Sequence, residues 1–127
     1  MSKGTKILLV DDDEFLLDMY SLKFREAGFE LEAAKSGEEA IDKLKNNQYD
    51  IILLDIVMPT LDGFGVLAQM KKENLGGGAI VIVLSNLGQK EDIERGLQMG
   101  AADYVVKAHF TPREVVEKVK FHLSKQS

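Results

Sequence analysis

Short apolar runs alternate with longer amphipathic stretches along this chain, and four of the runs stop at reactive polar positions. Ile7 to Val10 ends at Asp11 and Asp12, Ile51 to Leu54 at Asp55, Ala79 to Leu84 at Ser85, and Tyr104 to Val106 at Lys107. Such alternation is the signature of βα units around a parallel sheet. The carboxyl ends of parallel strands share one edge, and open α/β sheets bind ligands there. Three carboxylates, a hydroxyl and an ammonium would meet at that edge, a set suited to a divalent cation and a phosphoryl group.

The pattern predicts strands over 6–10, 30–34, 50–54, 79–84 and 104–107, with helices between them. Strands buried on both faces read as continuous apolar runs, whereas half-exposed ones alternate. The first, third and fourth runs are continuous, but Glu30-Leu31-Glu32-Ala33 alternates and is expected at an edge. This gives the order 2-1-3-4-5, a flavodoxin-like (βα)5 α/β sandwich of three layers around a five-stranded parallel sheet.

The first helix is expected to bury Phe15, Leu16, Met19, Tyr20, Phe24 and Ala27 and to stop at Gly28. Ser36 with Glu39 three residues on has capping-box spacing, and Asp62-Gly63 opens the third helix. The fourth helix carries Ile93 and Leu97, and Thr111-Pro112 starts the fifth with an N-cap and an N1 proline.

The 127 residues fit a single domain, 1–127. There is no cysteine, so neither a disulfide framework nor a thiolate metal site can form. The formal charge of −5 has the wrong sign for tracking a phosphate backbone, and direct nucleic-acid binding is not expected. No apolar stretch approaches the ~18 residues of a membrane span, and no signal pattern opens the chain, so a cytoplasmic protein away from the membrane is expected.

Asp11, Asp12 and Asp55 are hard oxygen donors of the kind Mg²⁺ prefers. Taken alone, Asp11 and Asp12 read equally well as acids capping the first helix, the role expected of Asp13. Asp55 ends the most apolar strand, where an unpaired carboxylate is costly. Such a carboxylate can act as a nucleophile toward phosphorus. Lys107 would supply positive charge and Ser85 a hydrogen bond, although a lysine at a strand end usually snorkels and a serine there usually forms a turn.

Ile-Leu-Leu-Val-Asp11-Asp12-Asp13, Leu-Leu-Asp55-Ile-Val-Met-Pro59-Thr-Leu-Asp62-Gly63, Val-Leu-Ser85-Asn and Gly100-Ala-Ala-Asp-Tyr104-Val-Val-Lys107 together resemble the receiver domains of two-component response regulators. Each segment alone is weak, but their order and spacing are highly specific. The resemblance implies that Asp55 accepts a phosphoryl group from a phosphohistidine of a sensor kinase or phosphotransfer protein. It implies Mg²⁺ on Asp12, Asp55 and the backbone carbonyl of Val57, with Asp11 acting through water. Lys107 would contact the phosphoryl group, and Ser85 and Tyr104 would be the switch hydroxyl and switch aromatic; plain edge-strand packing serves Tyr104 equally well.

The resemblance further implies a phosphoacceptor that is not an enzyme in the metabolic sense. Its readout surface would be the fourth helix, fifth strand and fifth helix, meeting a downstream protein, an effector domain or a second copy of the chain. The chain ends at Ser127 soon after the fifth helix, as either a stand-alone receiver or a piece of a longer regulator would.

Three departures from the family pattern stand out. Ala108 occupies the place of a proline that usually follows the lysine through a cis bond. A cis bond before any other residue costs about 3–4 kcal/mol, so the backbone placing Lys107 cannot be carried over unchanged. Asn86 replaces a usually smaller residue. Val57 and Leu87 are both apolar at positions flanking the phosphoryl group, which would disfavour the hydrolytic water and prolong the phosphorylated state.

A competing reading is a metal-dependent phosphatase of the haloacid dehalogenase type, with Asp11-x-Asp13 as its Asp-x-Asp pair. That reading needs a further acidic pair beyond the lysine and a capping insertion, and the sequence has neither. Gly76-Gly77-Gly78 precedes a strand instead of opening a helix and reads as a connector. His109 and His122 lack the spacing of a metal site.

Overall fold

A computed structural model describes residues 4–125; the first three and last two residues of the expected 1–127 domain lie outside the described residues. In chain order the elements are β1 (Lys6–Val10), α1 (Glu14–Glu26), β2 (Glu30–Ala34), α2 (Gly37–Asn46), β3 (Ile51–Leu54), α3 (Gly63–Glu73), β4 (Ile80–Ser85), α4 (Lys90–Gln98), β5 (Asp103–Val106), a 3-10 turn (Lys107–His109) and α5 (Pro112–Ser124). The strands form one parallel sheet in the order β2-β1-β3-β4-β5. The expected strands appear within one residue at each end, and Ser85 is the last residue of β4 itself.

Because side chains alternate across a strand, a continuous apolar run must feed two cores. Leu8, Val10, Ile52, Leu54, Val81, Val83 and Tyr104 point to the face covered by α2, α3 and α4. Ile7, Leu9, Ile51, Leu53, Ile82, Leu84 and Val105 point to the face covered by α1 and α5, where Leu17, Tyr20, Phe24, Val115 and Val119 meet them. This is the three-layer sandwich expected from the alternation.

The helix starts follow their caps. The Asp13 carboxylate accepts from the Phe15 and Leu16 amides at 3.0 and 3.2 Å, and Asp62 accepts from Gly65 at 2.8 Å. Thr111 and Glu114 form a complete capping box. Ser36 accepts from the Glu39 amide, but the Glu39 carboxylate reaches the Lys35 amide, one residue before the cap.

Two apolar expectations are corrected. Phe15 is 74% exposed and Leu17 takes the core position, because the helix opens at Glu14 and the inward stripe runs through 17, 20, 21 and 24. Leu97 is 45% exposed, while Gly96 is the buried residue of α4.

Candidate functional site

Backbone hydrogen bonds carry the strand pattern one step past β1 and β3: the Asp11 amide donates to the Ala34 carbonyl, and the Asp55 amide to the Val10 carbonyl. Strand parity then places Asp11, Asp55 and Lys107 with the α1/α5 face, whereas Ser85 and Tyr104 share the parity of the opposite face. The site therefore straddles the sheet edge.

The Lys107 Nζ lies 2.6 Å from Asp11 Oδ2 and 3.1 Å from Asp55 Oδ2. Asp11 and Asp55 are buried, Asp12 is exposed, and one carboxylate oxygen from each lies within 4.8 Å of the others. The second Asp11 oxygen accepts from the Asp13 amide, and Asp55 Oδ1 accepts from the Ile56 amide at 2.7 Å. Burial raises the Asp11 pKa above the usual carboxylate range, outweighing its hydrogen bond from Lys107. Burial pulls Lys107 down, but its hydrogen bond to Asp11 and the charges of Asp55 and Asp11 hold it above its ordinary value. Lys107 is therefore a cation at neutral pH, and it offsets part of the repulsion between the acids.

Neighbouring segments fix this arrangement. Gly63 starts α3 directly over the Asp55 backbone, and a Cβ there would meet the Asp55 carbonyl oxygen at 2.3 Å. Between them the Leu61 amide donates back to the Pro59 carbonyl at 2.8 Å, a γ-turn with Thr60 at φ 69°. A β-branched residue in that region stores about 1–3 kcal/mol. Val57, whose carbonyl is an expected metal ligand, leaves its side chain 61% exposed.

Ser85 is fully buried. Its Oγ accepts from the Leu87 amide at 3.2 Å, and the Tyr104 hydroxyl donates to the Leu87 carbonyl. The expected hydroxyl and aromatic thus meet at one residue, Leu87, through its amide and its carbonyl. Tyr104 is turned in against α4, its pKa pushed up to about 12 by burial and then by the charges of Asp92 and Asp55. The sequence marks Gly63 only as part of the opening of α3 and gives Gly96 no part; a glycine inside a helical pattern is the signal that marks such close approaches.

No peptide bond among the described residues is cis. Lys107 reaches both acids with alanine after it, and the Ala108 amide donates to Asn86 Oδ1 at 3.0 Å. Two of the three departures from the family pattern, Ala108 and Asn86, are therefore in contact.

The model of the response regulator receiver domain family matches residues 7–120. The chain belongs to that family. The gliding motility regulatory protein of Myxococcus xanthus is 41% identical over 106 residues, 84% of this chain but 14% of that protein. The chain spans half or less of the length of the curated relatives it matches. Among solved structures, a Francisella response regulator receiver domain superposes with a TM-score of 0.88 at 33% identity, covering 97% of this chain and 99% of that one. The response regulator TrrA of Thermotoga maritima, in complex with Mg²⁺ and BeF, gives 0.79 at 33% identity over 91% of this chain and 96% of its own.

Receiver domains are phosphoacceptor modules of two-component signalling, and this receiver domain is one of them. They bind Mg²⁺ at an acidic pocket. Asp11, Asp12 and Asp55 form an all-oxygen donor set that fits this ion. The phosphatase reading finds no support: the Asp13 carboxylate is committed to the first turn of α1. Among the described residues no helix is long and apolar enough to cross a membrane.

Proposed function

We propose that Asp55 is the phosphoacceptor of this receiver, taking the phosphoryl group of a phosphohistidine on a sensor kinase or phosphotransfer protein. The observation that carries the reading is Lys107 bridging Asp11 and Asp55 from the end of β5, with Asp12 in the same oxygen cluster. An Asp55 oxygen attacks phosphorus, a P–O bond forms, and the P–N bond to imidazole breaks. The leaving nitrogen keeps the electron pair and is neutralised by a proton.

The chain's task is positioning and charge neutralisation, which phosphoryl transfer chiefly requires. Asp12, Asp55 and the Val57 carbonyl, with Asp11 acting through water, would hold Mg²⁺, which would supply further neutralisation of phosphoryl oxygens. Lys107 offers its ammonium to the same oxygens, and Ser85 offers its hydroxyl once it leaves the Leu87 amide. Tyr104, tied to the same residue, would move with that hydroxyl and alter the surface of α4, β5 and α5. That surface is the proposed contact for a downstream protein, an effector domain or a second copy. The whole 1–127 chain acts here as one receiver whose only turnover is slow loss of its own phosphoryl group.

The reading is tested by incubation with acetyl phosphate, with and without Mg²⁺, followed by intact mass. One phosphoryl adduct is expected on wild type only with the metal, and none on Asp55→Asn. An adduct on the mutant, or none on wild type, refutes the assignment.

A further inference from the structure

The β4–β5 ladder ends at the Ser85–Val106 pair, one residue short of Lys107. There the chain leaves the sheet as the 3-10 turn Lys107–His109. The ammonium of Lys107 nevertheless has to sit between Asp11 and Asp55, and its flexible four-carbon stem does not by itself fix where the ammonium points.

At this point a side chain continues the pairing. The Ala108 amide donates to Asn86 Oδ1 at 3.0 Å. Residue 108 has an N–H to give because it is not proline. Asn86 directly follows Ser85, and Ala108 directly follows Lys107. One hydrogen bond therefore joins the segment carrying the hydroxyl to the segment carrying the ammonium, where strand pairing has run out.

We propose that Asn86 is a positioning residue: its carboxamide oxygen stands in for a further strand carbonyl and fixes the Lys107–Ala108 peptide, aiming the lysine at the acid cluster. The inference rests on the reading of Asp55 as phosphoacceptor with Lys107 as its cation. Both Asn86 and Ala108 are exposed, so the bond places a side chain without supporting the core. Its value lies in geometry, because small misplacements of a positioned group are costly in rate.

The test compares wild type, Asn86→Asp and Asn86→Leu. Aspartate keeps an acceptor oxygen at the same reach; leucine keeps the size and removes the acceptor. Adduct formation on Asp55 at saturating acetyl phosphate and Mg²⁺ is expected to slow about fivefold in Asn86→Leu, the scale of one neutral hydrogen bond. Asn86→Asp should stay close to the wild-type rate. Mg²⁺ affinity, set by the acids, should not weaken in either variant. In an Ala108→Pro background, which lacks the donor, Asn86→Leu should add no further slowing.

Equal slowing by both variants, no slowing by leucine, or the same factor in the proline background overturns the proposal. Amide exchange at Ala108 gives a readout independent of phosphoryl chemistry: protection should fall in Asn86→Leu, and unchanged protection also overturns it. A wild-type chain that forms no adduct refutes the phosphoacceptor reading instead, so the two failures are distinguishable.

Discussion

Gly96 of α4 lies against the ring of Tyr104: a methyl group at position 96 would stand 2.9 Å from Cδ2 and 3.1 Å from Cε2. The inward seat of the aromatic thus depends on a side chain that is missing. Gly96→Ala should gain up to about 1 kcal/mol of helix propensity but lose about 1–3 kcal/mol to overpacking. A net loss in urea unfolding is expected, with displaced Tyr104 ring resonances. With Tyr104→Ala as background the same substitution should become stabilising, and a failure of the sign to reverse would locate the clash elsewhere.

Lys107→Met should destabilise the metal-free protein by about 1–3 kcal/mol, below the ~3–5 of a fully enclosed pair because the cluster opens to solvent at Asp12. The loss of its cation leaves Asp11 and Asp55 repelling each other across a buried space. Adding Mg²⁺ should narrow the gap between mutant and wild type. Unfolding curves at several Mg²⁺ concentrations measure this; a gap independent of the metal would contradict it.

A pH effect is expected at Asp103, far along the sheet from the acid cluster. Burial alone would raise its pKa, but the hydrogen bonds from His122 and the Tyr104 amide, with the Lys118 charge, hold it below the usual range. A depressed carboxylate stabilises the fold above its unfolded value of about 3.9, and that contribution disappears as pH falls through the folded value. Asp103→Asn should cost about 0.5–1 kcal/mol at neutral pH, as partly exposed pairs do. The cost should vanish in acid; unfolding at a series of pH values checks it.

Val57 and Leu87 carry no side-chain donor or acceptor, so neither can hydrogen-bond a hydrolytic water. We expect Val57→Asn with Leu87→Glu to shorten the lifetime of the Asp55 adduct at least about tenfold, still below the ~10²–10⁴ of a full general base. Loss of the adduct followed by mass spectrometry decides this. An unchanged or longer lifetime would remove any role for these apolar residues.

The architecture was legible because it is written in periodicity: the continuous runs 7–10 and 51–54 can only serve a sheet covered on both sides, and the alternating run 30–33 lies at its edge. The acids and Lys107 were legible for a related reason, since strand ends of parallel order meet on one edge. Phe15 was misplaced because its spacing to Met19 fits a helical stripe, yet it sits in the first turn of α1 off the buried face formed by Leu17, Tyr20, Ser21 and Phe24. The Asn86–Ala108 bond was not legible, because it joins residues 22 apart through a side chain whose type alone suggests only a turn.

The orientation of the acidic loop has a consequence for the order in which charges meet. With the Asp13 carboxylate committed to α1 and Asp11 turned toward Lys107, Asp12 is the one exposed member of the acid cluster it forms with Asp11 and Asp55. A cation arriving at the cluster would therefore encounter Asp12 first and then meet an ammonium already seated on its two neighbours. Loading this domain would set a second cation beside one permanently tethered to the chain, and the tether sets how readily the resting protein waits without the other.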